Sequence, residues 1–290
     1  MKNIFLVIIC ILFYSCSRYS PDIEAVLKQA GRNRGELEKV LKRYGSDKLK
    51  LKAAEFLVKN MSYYQHTTSN AYRSDIEVIK AQYLINNIEW AFKVWREAHW
   101  GKRISFEHFC KEILPYRVGS EPPEEWRERY YNYFQPVLDS LLRDDSPVTA
   151  CQILYDTLVK RSWKFTSKSF ADLGANVLLD INEGGHCTTQ CQLMTFVMRS
   201  VGIPGGIDSY LCAPDRMGGP HAWNYLRNTN GKIIPFEFEP CDMKFLRDTT
   251  GRLIKVAFLR NARNRLEYNF YRAVFPTGME KNRNEFIYTG

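Results

Sequence analysis

The chain has 290 residues, of which 45% are hydrophobic and 25% are charged. These proportions are those of an ordinary globular protein, and they exclude a disordered or low-complexity chain. Basic residues exceed acidic ones by 41 to 32, which gives a net charge of +9. No run of five basic residues and no zinc-finger, RNP or Walker pattern accompanies this excess. We therefore expect no nucleic-acid partner and expect the function to depend on a discrete site.

Residues 1–15 are predicted to be a signal peptide. Lys2 precedes an apolar run from Ile4 to Phe13, much shorter than the roughly 20 residues of a membrane-spanning helix. Ser15 and Cys16 follow, and a small residue before a cysteine at this place resembles a bacterial lipobox. Cleavage before Cys16 predicts a lipid-anchored protein of the cell envelope, with the outer membrane as its expected location. The alternative is an ordinary secretory signal with an incidental cysteine.

The cysteines of the predicted mature chain are not arranged as a disulfide framework. Besides Cys16 they are Cys110, Cys151, Cys187, Cys191, Cys212 and Cys241. A chain of this length buries enough surface to fold without cross-links. We therefore expect mostly free, buried thiols.

Residues 16–145 are predicted to form a helical N-terminal region. Apolar side chains recur at spacings of three and four from Pro21 to about Leu142. Within this range Ser74 resembles a helix start, and the helical spacing after it continues to Trp95.

Residues 146–245 show helices followed by strands. One helix is predicted from about Cys187 to Val201, where Gly202 and Pro204 supply a stop signal. Three strand-like runs follow it: Gly206 to Ala213, His221 to Arg227 and Lys232 to Glu239. This order predicts an α+β fold in which a central helix packs on an antiparallel sheet. Residues 246–290 are predicted to be a tail with short strands.

Cys187 is the candidate nucleophile because it stands where a helix begins. The unpaired backbone N–H groups and the dipole at a helix N-terminus favour a thiolate over a thiol. The backbone N–H of Cys187 could also bind a developing oxyanion. Cys191, one turn further on, is predicted to belong to the core.

A thiolate nucleophile needs a base, and His221 at the start of a predicted strand is the candidate. A lone histidine on a strand would more commonly be a hydrogen-bonded core residue. The order of Cys187, the pattern Arg199-x-x-Gly-Ile-Pro and His221-x-Trp changes that interpretation. These motifs resemble the core of transglutaminase-like cysteine enzymes over roughly residues 148–241.

The resemblance implies a papain-like core and a Cys-His-acid triad. The N-terminal segments Asn33-Arg34-Gly35-Glu36-Leu37-Glu38 and Leu114-Pro115-Tyr116-Arg117 also resemble transglutaminase-domain lipoproteins of Bacteroides-type bacteria. The third triad member is usually an aspartate, whereas this chain carries Glu237 and Glu239.

The β-hairpin after His221 helps to choose between the two glutamates. A three-residue loop with Gly231 in the left-handed conformation would place Glu237 opposite Trp223 and Glu239 opposite His221. Both glutamates would then share the sheet face of His221, whereas a two-residue turn would place them on the other face. We assign the acidic role to Glu237, with Glu239 as the alternative.

The resulting hypothesis is an enzyme that attacks the amide carbonyl of a peptide or protein through Cys187, His221 and Glu237. Water would then complete hydrolysis, or an amine would complete transamidation. The alternative is a binding module of the cell envelope that keeps the fold with a degraded site. Histidines and cysteines around Cys187 could in principle hold zinc, but their spacing does not fit, so no metal or cofactor is expected.

Overall fold

The computed structural model describes residues 19–67, 72–161, 163, 166–170, 173–210 and 221–236, with short strands at 246–247, 253–255, 270–272 and 280–282. The predicted signal peptide, Cys16, Glu237 and Glu239 lie outside these residues. Within the described part of the chain, no helix combines the length and the hydropathy needed to cross a membrane.

The described helices are α1 (Pro21–Gln29), α2 (Arg34–Arg43), α3 (Lys48–Asn60), α4 (Asp75–Val78), α5 (Ala81–Glu97), α6 (Phe106–His108), α7 (Arg127–Leu141), α8 (Pro147–Lys160), α9 (Ala175–Asp180) and α10 (Cys187–Ser200). A π-helix, Phe109–Ile113, continues α6, and short 3₁₀ turns span Gly31–Asn33, Met61–Tyr63 and Gly101–Arg103. The helix predicted from about Cys187 to Val201 is confirmed by α10.

The described strands are β1 (Gln65–Thr67), β2 (Tyr72–Ser74), β3 (Gly205–Tyr210), β4 (His221–Arg227), β5 (Ile233–Phe236), β6 (Leu246–Arg247), β7 (Leu253–Lys255), β8 (Phe270–Arg272) and β9 (Glu280–Asn282). The largest sheet has the order β5-β4-β3-β8-β9, and every neighbouring pair in it is antiparallel. Helix α10 packs on β3 and β4, so the predicted α+β fold is confirmed.

The N-terminal region is helical as predicted, but the helix expected to run from Ser74 to Trp95 is broken. Helix α4 ends before Ile79, and α5 begins two residues later. The Asn33 amide donates hydrogen bonds to the carbonyls of Ile76 and Ile79, at 3.1 and 2.8 Å. The carboxylate of Glu36 accepts the N–H of Ala81 at 2.9 Å. Side chains from α2 and the turn before it thus satisfy the backbone groups that the break exposes.

The hairpin of β1 and β2 is a second departure from the predicted helical region. A buried ion pair fixes it, because Arg117 donates to the Asp75 carboxylate at 2.7 Å and to the carbonyl of Gln65 at 3.1 Å. Tyr116 donates to the other Asp75 oxygen at 2.9 Å. Strands of three residues are too short to show an alternating pattern in the sequence.

Helix α10 ends as the sequence predicts. The N–H of Ile203 donates to the carbonyl of Met198 at 2.9 Å, which is the bond of a Schellman cap. Gly202 has a positive φ of 77°, and a Cβ there would lie 2.6 Å from the carbonyl oxygen of Val94. The indole N–H of Trp100 donates to the Gly202 carbonyl at 2.7 Å. The end of α10 is therefore tied to α5.

One cluster of buried apolar side chains runs from Ile23 to Phe236 and surrounds α10. Two buried arginines connect this helix to the π-helix and the turn that follows it. Arg199 donates to the carbonyls of Glu112 and Arg117, at 3.2 and 2.6 Å. Arg127 of α7 donates to the carbonyl of Arg199 at 3.2 Å and to the carbonyls of residues 113–115 at 2.7 to 3.1 Å. The arginine of the Arg-x-x-Gly-Ile-Pro pattern thus holds α10 in place.

Candidate active site

Cys187 is the first residue of α10, where the sequence predicts it. His186 is the N-cap residue, with extended backbone angles, φ −60° and ψ 161°. The Cys187 residue is only 6% exposed. Its sulfur therefore lies at the positive end of a 14-residue helix, in surroundings that exclude most water.

The floor of the site joins α10 to the sheet. Cys187, Cys191 and Ala222 form a small buried cluster, with Ile207 packed against it. Cys191 is thus a core residue, as predicted. The side-chain amide of Asn224 donates to the Cys191 carbonyl at 3.0 Å, and it also reaches Thr195 of α10 and Gly206 of β3. One buried amide therefore fixes α10 relative to β3 and β4.

His221 is the first residue of β4, and the structure brings it to Cys187. Burial raises the pKa of the Cys187 thiol, whereas hydrogen bonds to the His221 side chain and to the Ala222 backbone lower it, and the net shift is downward. The His221 ring also lies beside the Trp223 indole, with ring centroids 6.2 Å apart. The described site thus contains a cysteine and a histidine in hydrogen-bond contact.

His186 is a second histidine at the sulfur, and the sequence analysis gave it no catalytic role. Its Nδ1 lies 3.3 Å from Cys187 Sγ, and its Nε2 lies 3.8 Å away. The Thr188 hydroxyl lies further off, at 4.0 Å. The only signal in the sequence was that His186 directly precedes Cys187. Side chains of neighbouring residues at a helix start do not usually point towards each other.

The hairpin of β4 and β5 has the longer loop on which the triad assignment depends. The N–H of Asn228 donates to the Lys232 carbonyl at 2.8 Å, and Gly231 has a φ of 82°. The strands pair in register from Arg227 with Ile233 to Asn224 with Phe236. The predicted three-residue loop is confirmed. Glu237 and Glu239 lie outside the described residues, so the acidic role stays a prediction.

Asp208 of β3 is a buried carboxylate that the sequence analysis did not single out. It is 0% exposed and lies directly opposite Trp223 in the sheet register. Residues two apart on a strand share a face, so Asp208 lies on the same face as His221, one position diagonally away. An aspartate inside a strand-like run was the signal that could have marked it.

None of the described cysteines forms a disulfide bond: Cys110, Cys151, Cys187 and Cys191. This agrees with the expectation of free, buried thiols, while Cys212 and Cys241 lie outside the described residues. Within the described part of the chain, no three His, Cys, Asp or Glu side chains lie close enough together to hold a metal ion.

Comparison with known proteins identifies a structural neighbour but no family. No protein-family model and no curated protein matches the chain. Among solved structures, the periplasmic domain of TgpA from Pseudomonas aeruginosa, bound to ethylmercury, is similar at 16% identity and a TM-score of 0.30. The similarity covers 40% of this chain and 45% of that one, so this chain spans less than half of that structure. At this TM-score the similarity does not establish a shared fold.

Proposed function

We propose that the protein is a transglutaminase-like cysteine enzyme that cleaves amide bonds of peptides or proteins. The observation that carries this proposal is the contact of Cys187 with His221 at the N-terminus of α10, with the pKa of the thiol shifted downward. A lowered thiol pKa is what a nucleophilic cysteine requires near neutral pH. The resemblance of the motifs around both residues supports the same reaction class.

The reaction follows from the two described residues. The Cys187 thiolate attacks the amide carbonyl carbon, and the negative charge that develops on the carbonyl oxygen is bound by the Cys187 N–H at the helix start. His221 gives its proton to the leaving amine as the C–N bond breaks, which leaves an acyl group on the sulfur. Water, deprotonated by His221, then releases the acid. An amine in place of water would give transamidation.

Glu237 is proposed as the residue that orients the His221 imidazole and stabilises its charged form. The register of β4 with β5 as far as Phe236 supports this role, because it is the register on which the assignment depends. Glutamate has one methylene more than the aspartate usual in the family. Glu239 is the second candidate for the same role.

A lipid on Cys16 is proposed to anchor the enzyme to a bacterial membrane, in the cell envelope. The short apolar run that ends at Ser15 supports this placement. Palmitate labelling of cells that express the wild type and Cys16→Ala tests it. We expect label in the wild type, and none in the variant, which should leave the membrane fraction or stay unprocessed. A wild type that matures without label would refute the anchor.

The enzymatic proposal is tested by screening the wild type against peptide and cell-wall peptide libraries, with Cys187→Ser and His221→Ala as inactive variants. Cys191→Ala is the matched control, because Cys191 lies in the same helix but in the core. We expect the wild type and Cys191→Ala to cleave peptides, and Cys187→Ser and His221→Ala to be inactive. If every folded form is inactive on all libraries while Cys187 has an ordinary thiol reactivity, the chain is instead a binding module.

A further inference from the structure

Two imidazoles lie at one sulfur atom in this site: that of His186, which precedes Cys187 in the chain, and that of His221 on β4. We propose that His186 is a second catalytic histidine, which stabilises the Cys187 thiolate together with His221. The inference rests on the proposed function, since it concerns the same sulfur. It adds a residue that the triad does not include.

Distances support a direct interaction between His186 and the thiolate. The Sγ atom lies 3.3 Å from Nδ1 and 3.8 Å from Nε2, so it rests against the ring and not on the axis of either N–H bond. A protonated His186 ring at this distance stabilises the thiolate by its charge.

Two backbone hydrogen bonds fix the position of His186 next to Cys187. Its N–H donates to the carbonyl of Lys168 at 2.7 Å, and its carbonyl accepts the N–H of Gln190 at 3.0 Å. As the N-cap residue of α10, His186 makes no capping hydrogen bond through its side chain. The ring lies against the sulfur instead of covering the end of the helix.

The charged and titratable groups of the neighbouring elements fit this role. His221 approaches from β4, and the Thr188 hydroxyl from α10 is 4.0 Å from the sulfur. Lys168, on the segment beside His186, forms an exposed ion pair with Glu183 at 2.6 Å. Exposed pairs of this kind are screened by solvent and contribute little at the sulfur.

His186 would act during deacylation, when His221 is occupied with the proton from water and a second group is needed to stabilise the sulfur. During deacylation, water adds to the acyl carbon and gives its proton to His221. The C–S bond then breaks, and the electron pair returns to Sγ as a thiolate. His221 holds the proton taken from water at that moment, and the charge of a protonated His186 ring can stabilise the departing sulfur. His186 keeps its own proton throughout, so the atoms and charges balance without another reactant.

The test is the pH dependence of alkylation of Cys187 by iodoacetamide, followed by mass spectrometry, in the full chain. We expect His186→Ala to raise the midpoint by about one pH unit, which is about a tenfold loss of thiolate below the midpoint. His221→Ala should keep part of the lowering, and the double variant should titrate like an ordinary thiol. Lys168→Met is the matched control: its charge is exposed and paired with Glu183, so the midpoint should stay unchanged.

His186→Gln separates charge from packing, because it keeps a polar side chain without the charge and should raise the midpoint as His186→Ala does. It also replaces the alanine variant if that one does not fold. An unchanged midpoint in folded His186→Ala or His186→Gln would overturn the proposal. The titration needs no substrate, so a shifted midpoint in an enzyme without amidase activity would support the role of His186 while refuting the proposed function.

Discussion

Arg227 on strand β4 holds the carboxylate of Glu112 through two of its nitrogens, at 2.7 to 3.0 Å. The side chains are 12% and 4% exposed, so the pair is nearly buried. Glu112 belongs to the π-helix of the N-terminal region, and β4 begins at His221. The strand that carries the candidate base is thus bonded to the helical region that precedes the core.

Glu112→Gln is expected to lower the free energy of unfolding by about 3–5 kcal/mol, because it leaves the nearly buried Arg227 charge without a counter-charge. Urea denaturation measures the change. Glu107→Gln is the matched control, since the ion pair of Glu107 with Lys111 is exposed and should contribute under about 1 kcal/mol. Equal effects of the two variants would show that the buried pair contributes no more than a surface pair.

Gly202→Ala is expected to destabilise the protein by about 2–4 kcal/mol. A left-handed conformation costs an alanine about 1–2 kcal/mol, and the added methyl would meet the Val94 carbonyl at 2.6 Å, at a further cost of about 1–2 kcal/mol. Gly231→Ala is the control, because Gly231 has a similar φ of 82° but no atom within 4 Å of the new methyl. Thermal unfolding compares them. If Gly231→Ala lowers the stability as much as Gly202→Ala does, the contact of α10 with α5 is not what makes Gly202 necessary.

The lowered thiol pKa of Cys187 predicts a pH dependence of stability. The thiol of the unfolded chain binds its proton up to a higher pH than that of the folded chain, so ionisation stabilises the folded state as pH rises. This contribution is fully present above the unfolded pKa and is lost as pH falls through the folded one. Urea denaturation of the wild type and Cys187→Ala from about pH 6 to about pH 9 measures it. A difference that does not grow with pH would contradict the downward shift.

Glu237→Gln is expected to lower the rate of amide cleavage by about two to four orders of magnitude, because it removes the charge proposed to stabilise the His221 imidazolium. Glu239→Gln should have a much smaller effect. Steady-state kinetics on a cleaved peptide gives both values. The reverse ranking assigns the role to Glu239. If neither glutamate matters and folded Asp208→Asn is inactive, the acidic residue lies on β3 instead.

Local signals in the sequence were enough to predict the position of the candidate nucleophile and the strand of the candidate base. The start of α10, its end at Gly202 and the loop that ends at Gly231 depend on capping and turn rules that involve a few neighbouring residues. Cys187 and His221 could therefore be assigned to elements before any contact was known.

The features that were missed depend on contacts between distant residues. The break before α5 is set by Asn33 and Glu36, more than 40 positions earlier in the chain. The burial of Asp208 follows from its place in the middle of the sheet, between β4 and β8. The backbone of His186, beside the sulfur, is bonded to the carbonyl of Lys168. None of these relationships leaves a periodic pattern in the sequence.

The central claim is that Cys187 is an activated nucleophile, and competitive alkylation tests it most directly. Native protein is treated with a limiting amount of iodoacetamide near neutral pH, and each cysteine is quantified by peptide mass spectrometry. We predict that Cys187 reacts well ahead of Cys110, whose pKa burial raises to about 12. His221→Ala should remove much of this lead. Equal, slow labelling of Cys187 and Cys110 in the folded wild type would contradict the account.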